Sequence, residues 1–450
     1  MSIRRRRRGI SLGTFVTVSL CIVTLLAGML IFSRISGDIS DITIDPKLLA
    51  EPLTVFARSV TDTDPAPLAS PESTSLFTLA EATQQASTPA PTATPEPTPP
   101  PNRTLTLTAV GQVSIGTELR ANAASGTQGH DFYDILSPIA GALANADLSI
   151  VTLRTGLSAS AGNYGPYCAP STLIDSFRAT GVNMFNFATD RILDHGMSGI
   201  DATRTVMEGK GSYFSGIYRT QEERSHYAVV DIDGVKVGLL AYTSHLSAAG
   251  KSAASAAEAA IATRVLSPQE AAANITALRA NGADVVIVLA HWGNRSDTKP
   301  SKETLAEVDA LIAAGADVIL GTNPTSVHEI ERRNVTDPYG EKREVFIAYS
   351  LGNFLVDDSR DTANITGVVL HLNLEWNAAT RRASIGEAWY MPTWIMRWRD
   401  NSGTNRYRVV PAGTTTIPEG MTESIYINMK KSYQAVVDKL GDAAAQPRPQ

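Results

Sequence analysis

The sequence predicts a layered α/β body carried behind one membrane-spanning helix and a proline-rich spacer. Three observations lead there. Phe15–Phe32 reads FVTVSLCIVTLLAGMLIF, almost wholly apolar and without a charge; at 1.5 Å per residue it is long enough to cross a hydrocarbon core. Residues 88–102 read TPAPTATPEPTPPPN, and proline this dense removes backbone donors and favours extended polyproline conformation. Beyond residue 102, short apolar runs alternate with helical stretches, the pattern of strands and helices in layers. One run, VVIVLAHWGN at Val285–Asn294, is apolar at every position until its end, which suits a strand covered on both faces.

The chain has 450 residues, 43% hydrophobic and 19% charged, a composition that suits a packed body. Its net charge is −6, and the only charges in the first 33 residues are the arginines Arg4–Arg8. Taking those five away from −6 leaves −11 on the rest, so the body is acidic and offers no basic footprint for nucleic acid. The arginine cluster places residues 1–11 in the cytoplasm, the anchor at 12–33 and everything after it outside. A cleaved signal peptide is disfavoured, because the apolar run exceeds the roughly 7–15 residues of an h-region and no clean small-x-small site follows. Residues 34–101 read as a linker region. The two cysteines, Cys21 in the anchor and Cys168 beyond it, allow neither an intramolecular disulfide framework nor a thiolate metal site.

Within the body, 102–441, the expected elements run in order. Leu105–Val110 is a strand ending at Gly111, and Leu148–Leu153 is the second. A helix over Thr172–Ala179 stops at Gly181 and is followed by a strand at Met184–Phe187. Gly199–Glu208 reads as a helix, and Val229–Ile232 with Val235–Tyr242 as a hairpin about Asp233-Gly234. The alanine-rich stretch to Ala262 has no firm assignment. Ser267-Pro268-Gln269-Glu270 starts a helix to about Ala280, with serine as cap, proline in the first turn and a capping box closed by glutamate. The strand at Val285 follows, then a helix over Lys302–Ala314, a strand at Val318–Leu320 and a turn at Gly321–Ser326. Val345–Leu351, Gly367–Trp376 and Arg381–Tyr390 are further strands. A helix over Ser424–Leu440 closes the body, leaving 442–450 as a disordered tail.

Chemistry in open α/β sheets gathers beyond the carboxyl ends of strands, and His291 stands at such an end. It is either a metal ligand or general base, or a hydrogen-bonded structural imidazole. Asp194-His195 forms an acid–imidazole pair only if the neighbours face each other. His245 either approaches the cleft or caps a loop, the loop being the favoured reading, and His328 is expected to lie on a strand face. No Gly-x-Ser-x-Gly elbow supports a hydrolase triad, and no phosphate-loop or dinucleotide fingerprint is present.

The polar clusters at the strand ends carry a more specific signal. VILGTNPTSVHEIE followed by VFIAYSLGNFLVDD, with AVGQVSIG, NADLSIVTL, FATDRILDHGMSGI, LLAYTS, AHWGN and MPTW…YRVVP, resembles the bacterial CapA capsule-synthesis family, the poly-γ-glutamate capsule group, over about Leu105–Leu440. The resemblance implies a calcineurin-like metallophosphoesterase-type β-sandwich flanked by helices, with a two-metal centre. This chain departs from the family's ligand pattern. Gln112 stands where an aspartate follows the first strand's glycine. Thr152 and Arg154 replace an asparagine and a glutamate, and Thr189-Asp190-Arg191 replaces Asn-Asn-His. Asn323-Pro324-Thr325 replaces His-Pro-His, and only His291 of His-Trp-Gly survives intact. Asp194, and Asn353 of the YSLGNF motif, are further cleft positions that match family motifs. Such a set should not form a dinuclear centre, because neutral and cationic groups stand where anionic ligands must converge.

Three readings of the remaining cleft follow. Asp190, His291 and Asn323 can offer one hard divalent metal, such as manganese, a mononuclear site, which would make the chain an active metal-dependent hydrolase or transferase. Alternatively, Arg191 pairs with Asp190 or Asp194 in a structural salt-bridge cluster. In the third reading, Arg154 and Arg191 grip a carboxylate or phosphate. The expected role is therefore that of a membrane-anchored, extracytoplasmic capsule or envelope protein whose metal centre is lost. Its partners would be an anionic envelope polymer or capsule-synthesis membrane proteins, and not nucleic acid.

Overall fold

A computed structural model describes residues 101–448 except 127–128, 159–164, 337–339, 341 and 358–360. The expected anchor, and the spacer up to residue 100, lie outside the described residues. Two sheets face each other. The larger runs, in spatial order, Asn405–Pro411, Arg382–Arg399, Thr366–Asn377, Arg103–Ser114, Leu148–Leu153, Met184–Asn186 and Tyr213–Ser215, with Asn353–Val356 pairing in parallel beside the end of Arg103–Ser114. The smaller runs Ile330–Thr336, Lys342–Ala348, Val318–Thr322, Val285–His291, Val235–Thr243 and Val229–Ile232.

Period-two alternation builds the layers. Leu239, Ala241, Ile287, Leu289 and Leu320 from the small sheet pack against Leu105, Leu107, Ile150 and Leu370 from the large one, making the core between sheets. The intervening residues Leu240, Tyr242, Val286, Val288 and Ala290 turn to the other side and pack under the helices Pro268–Ala280 and Lys302–Ala314. Both faces of Val285–His291 are therefore covered, which is why that run carries no polar alternation. A third cluster covers the outer face of the large sheet, through Val151, Phe185 and Val409 with Leu173, Phe177 and Met207 from helices.

Several boundaries differ from those expected, each for a physical reason. The first strand continues to Ser114 through an irregularity between Val110 and Gln112, because Gly111 bulges without ending the ladder. The helix after His195 starts at Gly196 and reaches Lys210, where Gly211 caps it at φ 62°. The alanine-rich stretch forms two short helices, Ala248–Ala253 and Ala256–Ala262. Ser255 and Glu258 make the reciprocal capping box there. At Ser267 only half of the expected box forms: the serine accepts from Glu270 N at 3.2 Å, while the Glu270 carboxylate pairs with Arg224. The expected strand over Val345–Leu351 is shifted to Lys342–Ala348, followed by the separate strand Asn353–Val356.

The strand expected to end at Tyr390 runs on to Arg399. Pro392 lies within it, paired with Val368 on one side, while pairing with Asn405–Pro411 on the other begins at Thr393. The tail expected to be disordered is docked over its described part. Ala444 and Ala445 are buried, Gln446–Pro447 pair with Trp389–Tyr390, and Arg332 Nε donates to Ala444 O at 2.8 Å.

Candidate functional site

Strand parity decides where His291 points. Val285, Ile287, Leu289 and His291 share one face, so the imidazole enters the space between the sheets while Trp292 turns to the helices. The large sheet brings its own strand ends to the same place. Thr152 is in register with Asn186 and Gln112, and the chain just beyond each strand supplies Arg154 and Asp190.

The centre is an ion pair. Arg154 Nε and Nη2 donate to Asp190 Oδ1 and Oδ2 at 2.7 and 2.8 Å, a two-pronged contact between side chains 3% and 9% exposed. His291, fully buried, lies 3.1 Å from Asp190 Oδ1 through Nε2 and 3.3 Å from Thr322 Oγ1 through Nδ1. Burial lowers the His291 pKa despite the nearby carboxylate and keeps the ring neutral. A neutral ring donating to Asp190 carries its proton on Nε2, leaving Nδ1 to accept from the threonine hydroxyl. Burial alone would raise the Asp190 pKa, but the hydrogen bonds from His291 and Arg154 outweigh it and hold the carboxyl far below the usual range.

Of the expected cleft residues, Gln112, Arg154, Asp190, His291 and Asn353 meet around this centre. Gln112 Nε2 ties three segments together by donating to Asn323 O at 3.1 Å and Asn353 Oδ1 at 2.9 Å. Asn323 holds φ at 96° and donates from Nδ2 to Trp292 O and Gly293 O at 3.1 and 2.7 Å. Those bonds over-determine a backbone conformation that costs about 1–3 kcal/mol. Thr152 accepts from Asn186 Nδ2 at 3.1 Å, and Thr325 Oγ1 donates to Arg295 O at 2.9 Å. Both are structural contacts. Arg191 pairs with Asp194 at 2.9 Å and only approaches Asp190, at 4.0 Å; its guanidinium lies 4.1 Å from the centroid of the Tyr167 ring.

Other expectations fail in instructive ways. Asp194 and His195 do not face each other: Asp194 takes Arg191 and Ser247, while His195 Nε2 contacts Pro166 O at 2.8 Å. His245 does more than cap a loop, its exposed ring standing 6.4 Å from that of His291. His328 is not a strand-face residue. It precedes Ile330–Thr336, buried, with Nε2 on Asp297 O at 2.8 Å. A cleft of about 590 Å³ opens beside the ion pair, its wall including Gln112, Ser114, Arg154, Tyr167, Arg295 and Asp357. Tyr167, with φ 54°, and Arg295 had no sequence signal, since nothing local marks a loop residue as folding over a distant strand end.

The donor set does not fit the two-metal centre that the resemblance implies. Both Asp190 oxygens are engaged by a guanidinium, His291 Nε2 is turned onto the same carboxylate, and Gln112 is a neutral amide fixed by two acceptors. Among the described residues no group of three His, Cys, Asp or Glu side chains converges to hold a metal. The mononuclear set of Asp190, His291 and Asn323 meets the same obstacle, because its only anion is already neutralised.

Removing the anionic partner by acid gives a signed prediction. Asp190 has a folded pKa depressed below its unfolded value, so its contribution is complete above about pH 4 and is lost as pH falls further. Buried His291 adds an earlier loss, since only the unfolded chain accepts its proton below about pH 6.5. Thermal melts should therefore show stability declining from neutral pH towards pH 5 and falling more steeply below pH 4. A melting temperature flat across that range would contradict the assignment.

Comparison with known proteins converges on one family. The family model described as "Bacterial capsule synthesis protein PGA_cap" matches residues 106–358, a span that contains Gln112 through Asn353. Capsule biosynthesis protein CapA of Bacillus anthracis is 25% identical over 198 residues, 42% of this chain and 44% of that protein. PGA biosynthesis protein CapA of Bacillus subtilis is 38% identical over 85 residues, 18% of this chain and 20% of that one. The chain thus spans less than half the length of either curated relative. Among solved structures, the calcineurin-like phosphoesterase YfkN of Bacillus subtilis is 14% identical with a TM-score of 0.35, covering 75% of this chain and 99% of that one. A phosphatase from Mycoplasma pneumoniae is 11% identical with a TM-score of 0.36, covering 65% and 94%. Likeness at that level identifies neither activity nor substrate.

Proposed function

The chain belongs to the bacterial capsule synthesis family PGA_cap, and from that premise we propose that it is a membrane-anchored, extracytoplasmic protein of capsule or cell-envelope polymer assembly that acts by binding. The observation that carries the reading is the Arg154–Asp190 clamp, which puts a fixed cation where metal chemistry would need a free anionic ligand. The cleft beside it, with Arg154 and Arg295 in its wall, suits an anionic polymer more than a neutral one.

The test uses the purified full-length chain with poly-γ-glutamate and with model phosphoesters. The expected result is retention of the polymer in excess chelator, with no turnover of either substrate. Hydrolysis of a phosphoester or polymer amide bond, abolished by His291→Ala in a variant that still folds, would overturn the reading.

A further inference from the structure

Arg154 uses only part of its hydrogen-bonding capacity. A guanidinium is a planar fork with two usable edges: the side edge, made by Nε and one Nη2 hydrogen, and the end edge, made by Nη1 and the other Nη2 hydrogen. In Arg154 the side edge is spent on the Asp190 carboxylate. The end edge has no hydrogen-bond partner among the described residues, although the residue is only 2% exposed and forms part of the cleft wall.

The surroundings fix this group, and although Asp190 balances its charge, the end-edge donors stay unspent. Asp190 is itself held by His291 at 3.1 Å, and Ser247 N donates to Asp190 O at 2.8 Å. Arg154 N donates to Val113 O at 2.8 Å, which anchors its backbone to the first strand. Both guanidiniums lie over the Tyr167 ring, Arg154 at 5.4 Å and Arg191 at 4.1 Å from its centroid, but Arg191 spends Nη1 on Asp194 and is not part of the cleft wall. The two arginines therefore have separate jobs.

We infer that the end edge of Arg154 is a preorganised carboxylate subsite of the cleft, its guanidinium serving as a built-in cation in place of a metal. The inference rests on the binding role proposed above and names the group that reads the ligand. A carboxylate matches two parallel N–H donors in one plane. Because the cation is covalently part of the chain, binding is independent of divalent metal. Lysine cannot substitute: an ammonium can still pair with Asp190 but presents no second planar edge.

The experiment measures the affinity of the full-length chain for poly-γ-glutamate and for polyphosphate, in chelator, at one fixed ionic strength. The variants are Arg154→Lys, Arg191→Lys and the apolar pair Arg154→Met with Asp190→Leu, which removes the fork without leaving a buried charge alone. Circular dichroism checks that each is folded. The expected result is poly-γ-glutamate binding by the wild type, weakened roughly 10- to 100-fold in Arg154→Lys and in the double variant, the worth of one charge-assisted pair. Arg191→Lys should keep the wild-type affinity. Wild-type affinity in both Arg154 variants would overturn the subsite while leaving the binding role intact. Tighter binding of polyphosphate than of poly-γ-glutamate would overturn the carboxylate assignment. Failure of the wild type to bind either polyanion would sink the binding role itself, and the subsite with it.

Discussion

Asp190→Asn should lose about 3–5 kcal/mol of folding stability, because it leaves the Arg154 guanidinium buried without its counter-charge. The side chain has nowhere else to go. It is 3% exposed, its backbone is tied to Val113, and its Nε and Nη2 both aim at the missing carboxylate. Asparagine also turns one of the two carboxylate oxygens into an NH2 donor, so at least one of the Arg154 and His291 donors meets a donor in place of an acceptor. Replacing both charges, with Arg154→Met and Asp190→Leu together, should recover most of the loss, since a buried pair is about balanced by apolar side chains of similar volume. Chemical denaturation of Arg154→Met, of Asp190→Leu and of the double variant measures this as a coupling energy. If Asp190→Asn unfolds at the wild-type denaturant concentration, the clamp is not the structural centre of the cleft.

Gly111→Ala should be comparably damaging, by about 3 kcal/mol or more, at a position with no polar group to lose. A Cβ there would stand 1.9 Å from Gly352 O, a backbone atom that cannot swing aside. Gly352 itself holds φ at 70° and accepts from Gln112 N at 3.2 Å. Accommodating the methyl therefore means parting Arg103–Ser114 from Asn353–Val356, the two strands that present Gln112 and Asn353. The expected outcome is a lower melting temperature together with weakened polymer binding. Wild-type stability in this variant would mean that the two strands do not approach as closely as described.

The sequence made the layers and the strand ends legible because burial on both faces leaves a direct trace in composition, as in Val285–His291. Which side His291 takes was not legible there, because a run apolar at every position carries no alternation; the fold settles it. The site's residues were legible too: Gln112, Arg154, Asp190, His291 and Asn353 do gather. Their pairing was not. From sequence, Arg191 is the natural partner of Asp190 because it is adjacent, whereas the observed partner lies 36 positions away. That contact follows from sheet register, which sets Thr152 beside Asn186 and is invisible until the strands are ordered. Tyr167 and Arg295 escaped notice for the same reason, since loop residues reach the cleft through the path of the chain and not through any periodic pattern.

The most direct test of the central claim is the metal content of the purified full-length chain after incubation with manganese and desalting. The account predicts no stoichiometric metal, and the same polymer affinity before and after chelation. Stoichiometric manganese that survives desalting and disappears in His291→Ala would contradict it, and would return the cleft to metal-dependent chemistry.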